Sequence, residues 1–312
     1  MTANVFIGTA SWTDKTLIAC KRFYPRAVAS AEARLRYYAE QFPLVEVDSS
    51  YYALPSEANA RLWAERTPDG FVFNIKAFRL FTQHQTPLAA LPREMADDLR
   101  ALRKANVYAS DIPRELLDSI WDRFLSALEP LRAAGKLGAL HFQFPPWFMA
   151  NRENYRYIQA TRDRLGAYQL TVEFRHNSWF AGNQAEATLK FERDHRLVNT
   201  IVDEPQGFDS SVPMIWEPTL GELALVRLHG RNAQTWNAKG LAAASDRFNY
   251  DYSDSELTEL SKGIVQLAQK VKRVDVIFNN NYEDQGPRNA RSLQKILGGE
   301  QSSGAGTGFH LT

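Results

Sequence analysis

Short apolar runs alternate with stretches of helical periodicity along most of this chain. Within several runs, apolar and polar residues alternate at a spacing of two, which is typical of a half-buried strand. The pattern predicts eight strands, in runs that begin at Val5, Leu44, Phe71, Leu137, Gln169, Arg196, Glu222 and Arg273. Helical periodicity predicts helices over Ala31–Gln41, Glu57–Arg66, Arg114–Ala134, Glu153–Leu165, Gln184–His195, Asp254–Lys270 and Asn289–Leu297.

Strands that alternate with helices are typical of βαβ units and a parallel sheet. Eight such units in a chain of 312 residues match an α/β fold of the (β/α)₈ type, a TIM-type barrel, better than an open sheet. We therefore predict one domain over residues 1–298 and a disordered tail over 299–312. A doubly wound open sheet is the alternative, but no glycine-rich dinucleotide-binding motif follows the first strand.

Two stretches depart from the regular alternation. The segment between Phe78 and Gly135 is long, and it predicts an extended, partly helical insertion between the third and fourth strands. The stretch PQGFDSSVPMIWEPTLG has no helical period, and it predicts an irregular loop between the sixth and seventh strands. By contrast, Ser253 and Glu256 form a capping box, which predicts the start of the helix that follows.

The same alternation predicts which way each strand residue points. In a barrel, successive residues face the lumen and the surrounding helices in turn, and the helix-facing set should be apolar. For the sixth strand this rule directs Val198 and Val202 to the helices. Across six strands the opposite phase, predicted to face the lumen, comprises Glu46, Asp48, Asn74, Lys76, His141, Gln143, Glu173, Arg175, Asn199, Asp203, Arg227 and His229. For the first and eighth strands, the pattern does not decide which residues face the lumen.

A polar lumen is unusual, because barrel interiors are ordinarily filled by Val, Ile and Leu. Buried charges are costly unless they pair with one another or face a ligand and water. Active sites of barrel enzymes lie at the C-terminal ends of the strands, where these polar residues are concentrated. The pattern therefore indicates a ligand or catalytic site at that end, with a purely structural ion-pair network as the alternative.

General acid/base chemistry is the function that these residue types favour. Glu173 is the candidate base or acid and His229 its counterpart, while Arg175, Arg227 and Lys76 are suited to binding anionic groups. We therefore predict an enzyme that acts on a polar, anionic or hydroxylated small molecule. Hydrolase, isomerase and lyase chemistry all remain open.

Two other functions are kept as alternatives. Metal-assisted phosphoester or sugar chemistry would need ligands from separate strands, for example His141, Glu173, Asp203 and His229, since no HxH or HExxH spacing is present. A nucleic-acid or nucleotide-binding module would use tryptophans that follow strand ends, namely Trp12, Trp147, Trp179 and Trp236, although loop packing also explains them. The cofactor is left unknown and no metal ligand is assigned.

Composition narrows the class of protein. The chain is 44% hydrophobic and its formal net charge is +1, so a global basic field is absent and nucleic acid is not favoured as a partner. Cys20 is the single cysteine, which excludes an internal disulfide and fits a reducing compartment. With neither a basic apolar leader nor a membrane-length apolar run, a soluble cytoplasmic protein is expected. The oligomeric state is left open.

Nine short motifs follow one another in fixed order along the chain, namely GTASW, FYP, VEVDSSYYALP, FVFNIKAFRLFTQH, LHFQFPPWF, EFRHNSWF, VRLHGRN, YDYSDSEL and FNNNYEDQGPRNA. As a set they resemble the motifs of the YecE-like family, domain of unknown function 72 (DUF72). The resemblance implies a TIM-type barrel and brings no established reaction. Besides Glu173 and His229, the rim residues that it implies are Trp12, Lys76, Gln143, Arg175, His176, Arg227, Arg231, Asn279 and Asn280. Asp48 and Trp179 complete the predicted substrate-binding set.

The chain departs from the expected family pattern at three places. Asp48 stands where an asparagine is expected and adds a negative charge. The first motif has Ala10 and Ser11 in place of Ser-Gly. Asn281 stands where a histidine often follows the FNN motif, which counts against a metal or proton-transfer role at that position.

Overall fold

Eight parallel strands close into a barrel, in the order β1-β2-β3-β6-β7-β8-β9-β10. The computed structural model describes residues 4–99, 102–238, 240–241 and 244–303. In chain order the strands are β1 Asn4–Ala10, β2 Leu44–Val47, β3 Val72–Lys76, β4 Thr86–Pro87, β5 Asn106–Val107, β6 Leu137–Gln143, β7 Leu170–Glu173, β8 Val198–Asp203, β9 Leu223–Leu228 and β10 Arg273–Phe278. The predicted TIM-type barrel is confirmed.

The helices follow the barrel strands as the periodicity predicts, and most of their ends lie within two residues of prediction. They are α1 Lys15–Cys20, α2 Ala31–Gln41, α3 Ser49–Tyr52, α4 Glu57–Glu65, α5 Arg93–Asp98, α6 Arg114–Ala133, α7 Arg152–Leu165, α8 Gln184–Asp194, α9 Asp254–Ala268 and α10 Gln285–Ser303. Side-chain caps satisfy free backbone N–H groups at several helix starts. The capping box of Ser253 and Glu256 at α9 is present as predicted. None of the helices in the described ranges is long and apolar enough to cross a membrane.

The irregular segments differ in part from expectation. Between β3 and β6, the predicted helical insertion contains α5 and α6, but it also contains the short antiparallel pair β4 and β5. The loop between β8 and β9 is irregular, as predicted. At the C-terminus, α10 continues to Ser303, so the predicted tail begins in helix, and residues 304–312 lie outside the described residues.

Two apolar layers position the polar groups. The larger core lies between the strands and the helices, and includes the helix-facing residues Val45, Phe73, Phe142, Val172 and Val226. A smaller buried cluster lines the lumen, mostly in its N-terminal half, and it comprises Ala10, Leu44, Val72, Ala139, Val198, Leu223, Leu225 and Ile277. This plug is not wholly apolar, because Asp275 of β10 is fully buried in register with Leu225 and accepts a hydrogen bond from Asn74 Nδ2 at 3.0 Å. The charged residues of the candidate site lie in the C-terminal half of the lumen.

The predicted orientation of β8 is wrong. Thr200 pairs in register with Leu225, and Val202 with Arg227, so the even-numbered residues of β8 share the lumen phase of β9. Val198 accordingly belongs to the lumen plug. Asn199 and Asp203 therefore take the helix-facing phase. The prediction failed because both faces of this strand carry Val or Ile, and no polarity difference distinguishes them.

Candidate functional site

Glu173, the last residue of β7, lies at the centre of the polar lumen and is fully buried. Its Oε1 accepts hydrogen bonds from Gln143 Nε2 at 2.5 Å and from His229 Nε2 at 3.0 Å. Its Oε2 accepts one from Arg227 Nη1 at 2.5 Å. Burial alone would raise the pKa of this carboxyl, but Arg227 and both neighbouring histidines hold the pKa well below its usual range. Glu173 is therefore an anion at neutral pH, and its lone pairs are occupied by donors.

Arg227, on the lumen face of β9, bridges glutamates on two other strands. Its Nη1 reaches Glu173, and its Nη2 donates to Glu46 Oε1 on β2 at 2.6 Å. All three side chains are inaccessible to solvent. A charge-assisted network of this kind holds β2, β7 and β9 together across the lumen.

His229 and His141 both contact Glu173 and both are neutral. Asn279 Nδ2 donates to His229 Nδ1 at 2.8 Å, which leaves the proton on Nε2, where it bonds to Glu173. His141 Nδ1 pairs with Thr171 Oγ1, and its Nε2 lies 3.4 Å from Glu173 Oε2. Burial lowers the pKa of each imidazole to about 4.

Glu46 and Asp48 form a carboxyl pair on the lumen phase of β2. Asp48 lies within hydrogen-bonding reach of Glu46, and its Oδ1 is 3.5 Å from Lys76 Nζ. Burial raises the pKa of Glu46 to about 7, and the negative charge of Asp48 adds to this. Burial opposes the effect of Lys76 and Arg227 on Asp48, but these cations prevail and lower its pKa. A proton shared by the pair therefore resides on Glu46.

One oxygen of Glu46 is left without a donor. Within the described part of the chain, no N–H or hydroxyl donor reaches the buried Glu46 Oε2, and the carboxyl within hydrogen-bonding reach of this side chain is that of Asp48. Asp48 lies above it at the C-terminal end of the lumen, which we call the mouth and define by Asp48, Lys76, Gln143 and Arg175. These four side chains retain partial exposure. Protons from Glu46 can thus reach the mouth through Asp48.

Arg175 lies at the mouth between two glutamates and an indole ring. Its guanidinium stacks 4.4 Å from the centre of the Trp236 ring, and its Nη1 is 3.6 Å from Glu173 Oε1. On the other side, Arg175 Nε is 3.4 Å from Glu204 Oε2. Burial raises the pKa of Glu204 to about 8, so at neutral pH this carboxyl is mostly uncharged and does not neutralise Arg175.

A second group of cations lies beyond the end of β3. Lys76 Nζ is 5.0 Å and Arg79 Cζ 5.3 Å from the centre of the Tyr51 ring. His84 packs edge-on against the same ring, and Trp147, which is 58% exposed, packs against His84. Burial lowers the pKa of His84 to about 3, with Lys76, Arg79 and Arg175 as further causes.

Three predicted binding residues contribute to packing instead of the mouth. Trp12 is buried and meets the Trp63 ring edge-on. Trp179 is completely buried, and it stacks 3.8 Å from the centre of the Phe174 ring. His176 caps the short 3₁₀ turn after β7 by accepting from Ser178 N.

Two further predicted residues lie outside the lumen. Arg231 Nε donates to both oxygens of Asp203 at 3.0 Å, and the pair lines a cavity of about 510 Å³ beside β8. Asn280 Nδ2 donates to Tyr250 O and to Asn289 Oδ1, so it ties the end of β10 to the α9 and α10 region. By contrast, the other predicted site residues do converge around Glu173 and Glu46. They are Asp48, Lys76, Gln143, Arg175, Arg227, His229 and Asn279.

The suggested metal ligand set is not brought together. His141 and His229 both reach Glu173, but Asp203 lies in the helix-facing phase of β8 and accepts from Tyr252 Oη at 2.6 Å. Among the residues that the structure describes, no group of three or more His, Cys, Asp or Glu side chains is arranged to hold a metal ion.

Glu204, Arg79 and His84 belong to the site but were not singled out from the sequence. Glu204 directly follows β8 and continues its even-numbered lumen phase, so the wrong orientation predicted for that strand hid it. Arg79 and His84 lie beyond the end of β3, where no alternation indicates side-chain direction. A sequence signal for the bend after β9 is the glycine of HGRN. Gly230 has a φ of +83°, and a Cβ added there would lie 2.5 Å from Tyr250 Cβ. The glycine is required for the bend that carries His229 into the site and Arg231 out of it.

The fold and the polar cluster together define the class: a TIM-barrel protein with a candidate ligand site at the C-terminal ends of its strands. The family model described as "Protein of unknown function DUF72" matches residues 6–307. The chain belongs to this family, as its motifs predict.

Curated and solved relatives agree with this assignment. UPF0759 protein YunF from Bacillus subtilis (strain 168) is 32% identical over 300 residues, which is 96% of each chain. UPF0759 protein YecE from Escherichia coli (strain K12) is 27% identical over 198 residues, covering 64% of this chain and 58% of that protein.

Two crystal structures of DUF72 family proteins are similar to this one. That from Enterococcus faecalis V583 has a TM-score of 0.77 and 28% identity, covering 94% of this chain and 95% of its own. That from Thermotoga maritima MSB8 has a TM-score of 0.74 and 29% identity, covering 95% and 99%.

Proposed function

We propose that this protein is an enzyme that transfers a proton to or from a polar, anionic or hydroxylated small molecule at the mouth. The observation that carries the proposal is the carboxyl pair of Glu46, which is fully buried, and Asp48, which is partly exposed and lies within hydrogen-bonding reach of Glu46.

The two acids of β2 have complementary properties for proton transfer. The pKa of Glu46 near 7 places its titration at neutral pH, where general acid/base catalysis is most efficient. Asp48 is partly exposed, ionised and adjacent to Glu46, so it is the group that would contact the substrate. Two carboxyls with separated pKa values and one shared proton are a recurrent arrangement for acid/base work.

Glu173 and His229 are better suited to positioning than to proton transfer. Both oxygens of Glu173 accept hydrogen bonds, and both nitrogens of His229 are engaged. An ionised carboxylate saturated with donors is a weak base. We assign to them the role of holding Arg227, and through it Glu46, in a fixed position. This revises the expectation that Glu173 itself is the base.

The experiment compares turnover of a defined pool of phosphorylated, carboxylated and neutral sugars by NMR. We expect the wild type to convert at least one compound, and Glu46→Gln and Asp48→Asn to reduce that rate by about 10²–10⁴-fold. Glu192→Gln is the matched control, because Glu192 is also fully buried and burial also raises its pKa, but it lies on α8. Wild-type turnover by both Glu46→Gln and Asp48→Asn would exclude this mechanism.

A further inference from the structure

The cations at the mouth exceed the anions that face them. Arg227 is neutralised by Glu173 and hydrogen-bonded to Glu46, and Lys76 lies 3.5 Å from the single carboxylate of Asp48. Arg175 shares Glu173 with Arg227, and its other neighbour, Glu204, is mostly uncharged at neutral pH. Arg79 forms no ion pair with any residue that the structure describes. Positive charge therefore remains uncompensated on one side of the mouth.

The uncompensated groups are close together. Lys76 and Arg79 lie against the same ring, that of Tyr51. His84 packs on that ring, and its pKa, which burial lowers, is lowered further by both of them and by Arg175 as well. Lys76 and Arg79 therefore lie on one side of the mouth, in front of Tyr51 and His84, and Arg175 lies at the end of β7, 3.6 Å from Glu173.

Several donors in this group are unused. Within the described ranges, the Nε atoms of Arg79 and Arg175 are buried and have no hydrogen-bond partner. With the residues that the structure describes, Lys76 Nζ forms no hydrogen bond of ordinary geometry, and Asp48 Oδ1 lies 3.5 Å from it. Like charges that are brought together with unused donors are unfavourable without an anionic partner.

We propose that Lys76, Arg79 and Arg175 form a phosphate subsite, and that the substrate of the enzyme proposed above is a phosphomonoester. A phosphate group offers three acceptor oxygens and a charge approaching −2, which matches three cations better than the two oxygens and single charge of a carboxylate. The planar guanidinium groups suit bidentate contacts, and lysine supplies a point charge.

The position of the subsite fits the acid/base pair. Lys76 links the two, because the same ammonium group faces Asp48 and packs on Tyr51. A phosphate held by the three cations would place the rest of the molecule beside Asp48. The exposed ring of Trp147 provides an apolar wall on the outer side.

The test is calorimetric titration of the full chain with inorganic phosphate at pH 7 and constant ionic strength, with acetate as the monoanionic comparison. We expect saturable binding of phosphate at one site, competition by sulfate, and no saturable binding of acetate. Arg79→Gln should weaken phosphate binding about tenfold or more, the scale of one charge-assisted hydrogen bond. Arg175→Gln should do the same.

Arg61→Gln is the control, because Arg61 is exposed on α4 and paired with Glu57. It should leave phosphate affinity unchanged. Arg79→Lys keeps the charge and should restore part of the affinity, which separates loss of binding from loss of fold. Unchanged affinity in Arg79→Gln and Arg175→Gln, or equally tight acetate binding, would overturn the proposal, as would the absence of saturable phosphate binding.

This inference rests on the proposed function, but the two fail separately. If phosphate binds through Arg79 while Glu46→Gln keeps full turnover, the subsite stands and the acid/base role is wrong. If Glu46→Gln abolishes turnover of a compound without phosphate, and inorganic phosphate does not bind, the enzyme stands and the subsite is wrong.

Discussion

Arg227 Nη1 donates a hydrogen bond to Glu173 Oε2 at a distance of 2.5 Å, and this bond joins β9 to β7 at the centre of the lumen. Both side chains are completely buried, and each has further partners on other strands. The pair is therefore the structural anchor around which the less tightly held groups of the mouth are arranged. Its removal should affect the whole barrel.

We predict that Glu173→Gln lowers the free energy of unfolding by about 3–5 kcal/mol, because it leaves Arg227 buried with an incomplete set of partners. The pKa of Glu173 is depressed, so its stabilisation is present above the unfolded pKa near 4.5 and is lost as pH falls. Urea unfolding at pH 7 and pH 4 measures both effects, and the difference between wild type and variant should shrink at the lower pH.

The control for that measurement is Glu65→Gln, an exposed change on α4 that should alter stability by no more than about 0.5 kcal/mol. A Glu173→Gln protein as stable as this control would show that the carboxylate contributes little to the barrel.

We predict that Glu46 titrates near pH 7, and that Asp48→Asn lowers the pKa of Glu46. Burial is the larger cause of the raised pKa, and the charge of Asp48 adds to it, so neutralising Asp48 removes only the second contribution. Carboxyl ¹³C chemical shifts followed against pH give the value directly. Glu192 in the same spectra is the internal reference, since it lies on α8 and its pKa should not move. A Glu46 pKa that is the same in both proteins would disprove the coupling.

We predict that Glu192→Gln improves stability more at pH 8 than at pH 5. Burial raises the pKa of Glu192 well above its ordinary value, and no described residue bonds to its oxygens. A carboxyl whose pKa is raised in the folded state contributes to stability at pH values below its unfolded pKa near 4.5, and this contribution is lost as pH rises toward the folded pKa. The glutamine side chain does not titrate, so the variant does not lose stability in this way as pH rises. Thermal unfolding of both proteins at the two pH values measures the effect, and equal shifts at both would contradict it.

We predict that Trp179→Ala lowers the free energy of unfolding by about 3–5 kcal/mol, as expected for a large buried side chain. Trp179 stacks on Phe174, and its Nε1 donates to Phe148 O at 2.7 Å. Trp147→Ala, at an exposed position, should change stability by no more than about 0.5 kcal/mol. Guanidinium unfolding of the two variants tests whether these rings are core and surface respectively, and similar losses would refute the distinction.

The barrel was predictable because periodicity is a property of whole segments. Helix α2 was predicted at Ala31–Gln41 and is found there, because an apolar stripe and the capping serine Ser30 mark the same start. Strand β7 was oriented correctly, because Val172 and Phe174 alternate with charged residues. In β8 both faces carry Val or Ile, so polarity does not show which side chains face the lumen. Their direction is decided by the hydrogen-bonded register with the neighbouring strands.

The site was predictable on the strands and in the one or two residues that follow them. Glu46, Glu173 and Arg227 are lumen residues by parity, and Asp48, Arg175 and His229 continue that parity just beyond the strand ends. Glu204 continues the lumen phase of β8 and was missed because that phase was assigned wrongly, while Arg79 lies three residues beyond β3, where parity no longer applies. The same limit explains why Trp12 and Trp179, which also follow strand ends, pack into the core. Their direction depends on which apolar surface is within reach, and this is a property of the tertiary structure.

The plug in the lower lumen separates the buried Glu46 from one end of the barrel. Leu223 and Leu225 pack there beside the buried Asp275, and on the opposite side the route from Glu46 to solvent passes Asp48. A ligand seated across the mouth would seal that route. The protonation state of Glu46 and Asp48 would then stay fixed until the ligand left. The pH of the solution at the moment of binding would therefore set the number of protons available for each reaction.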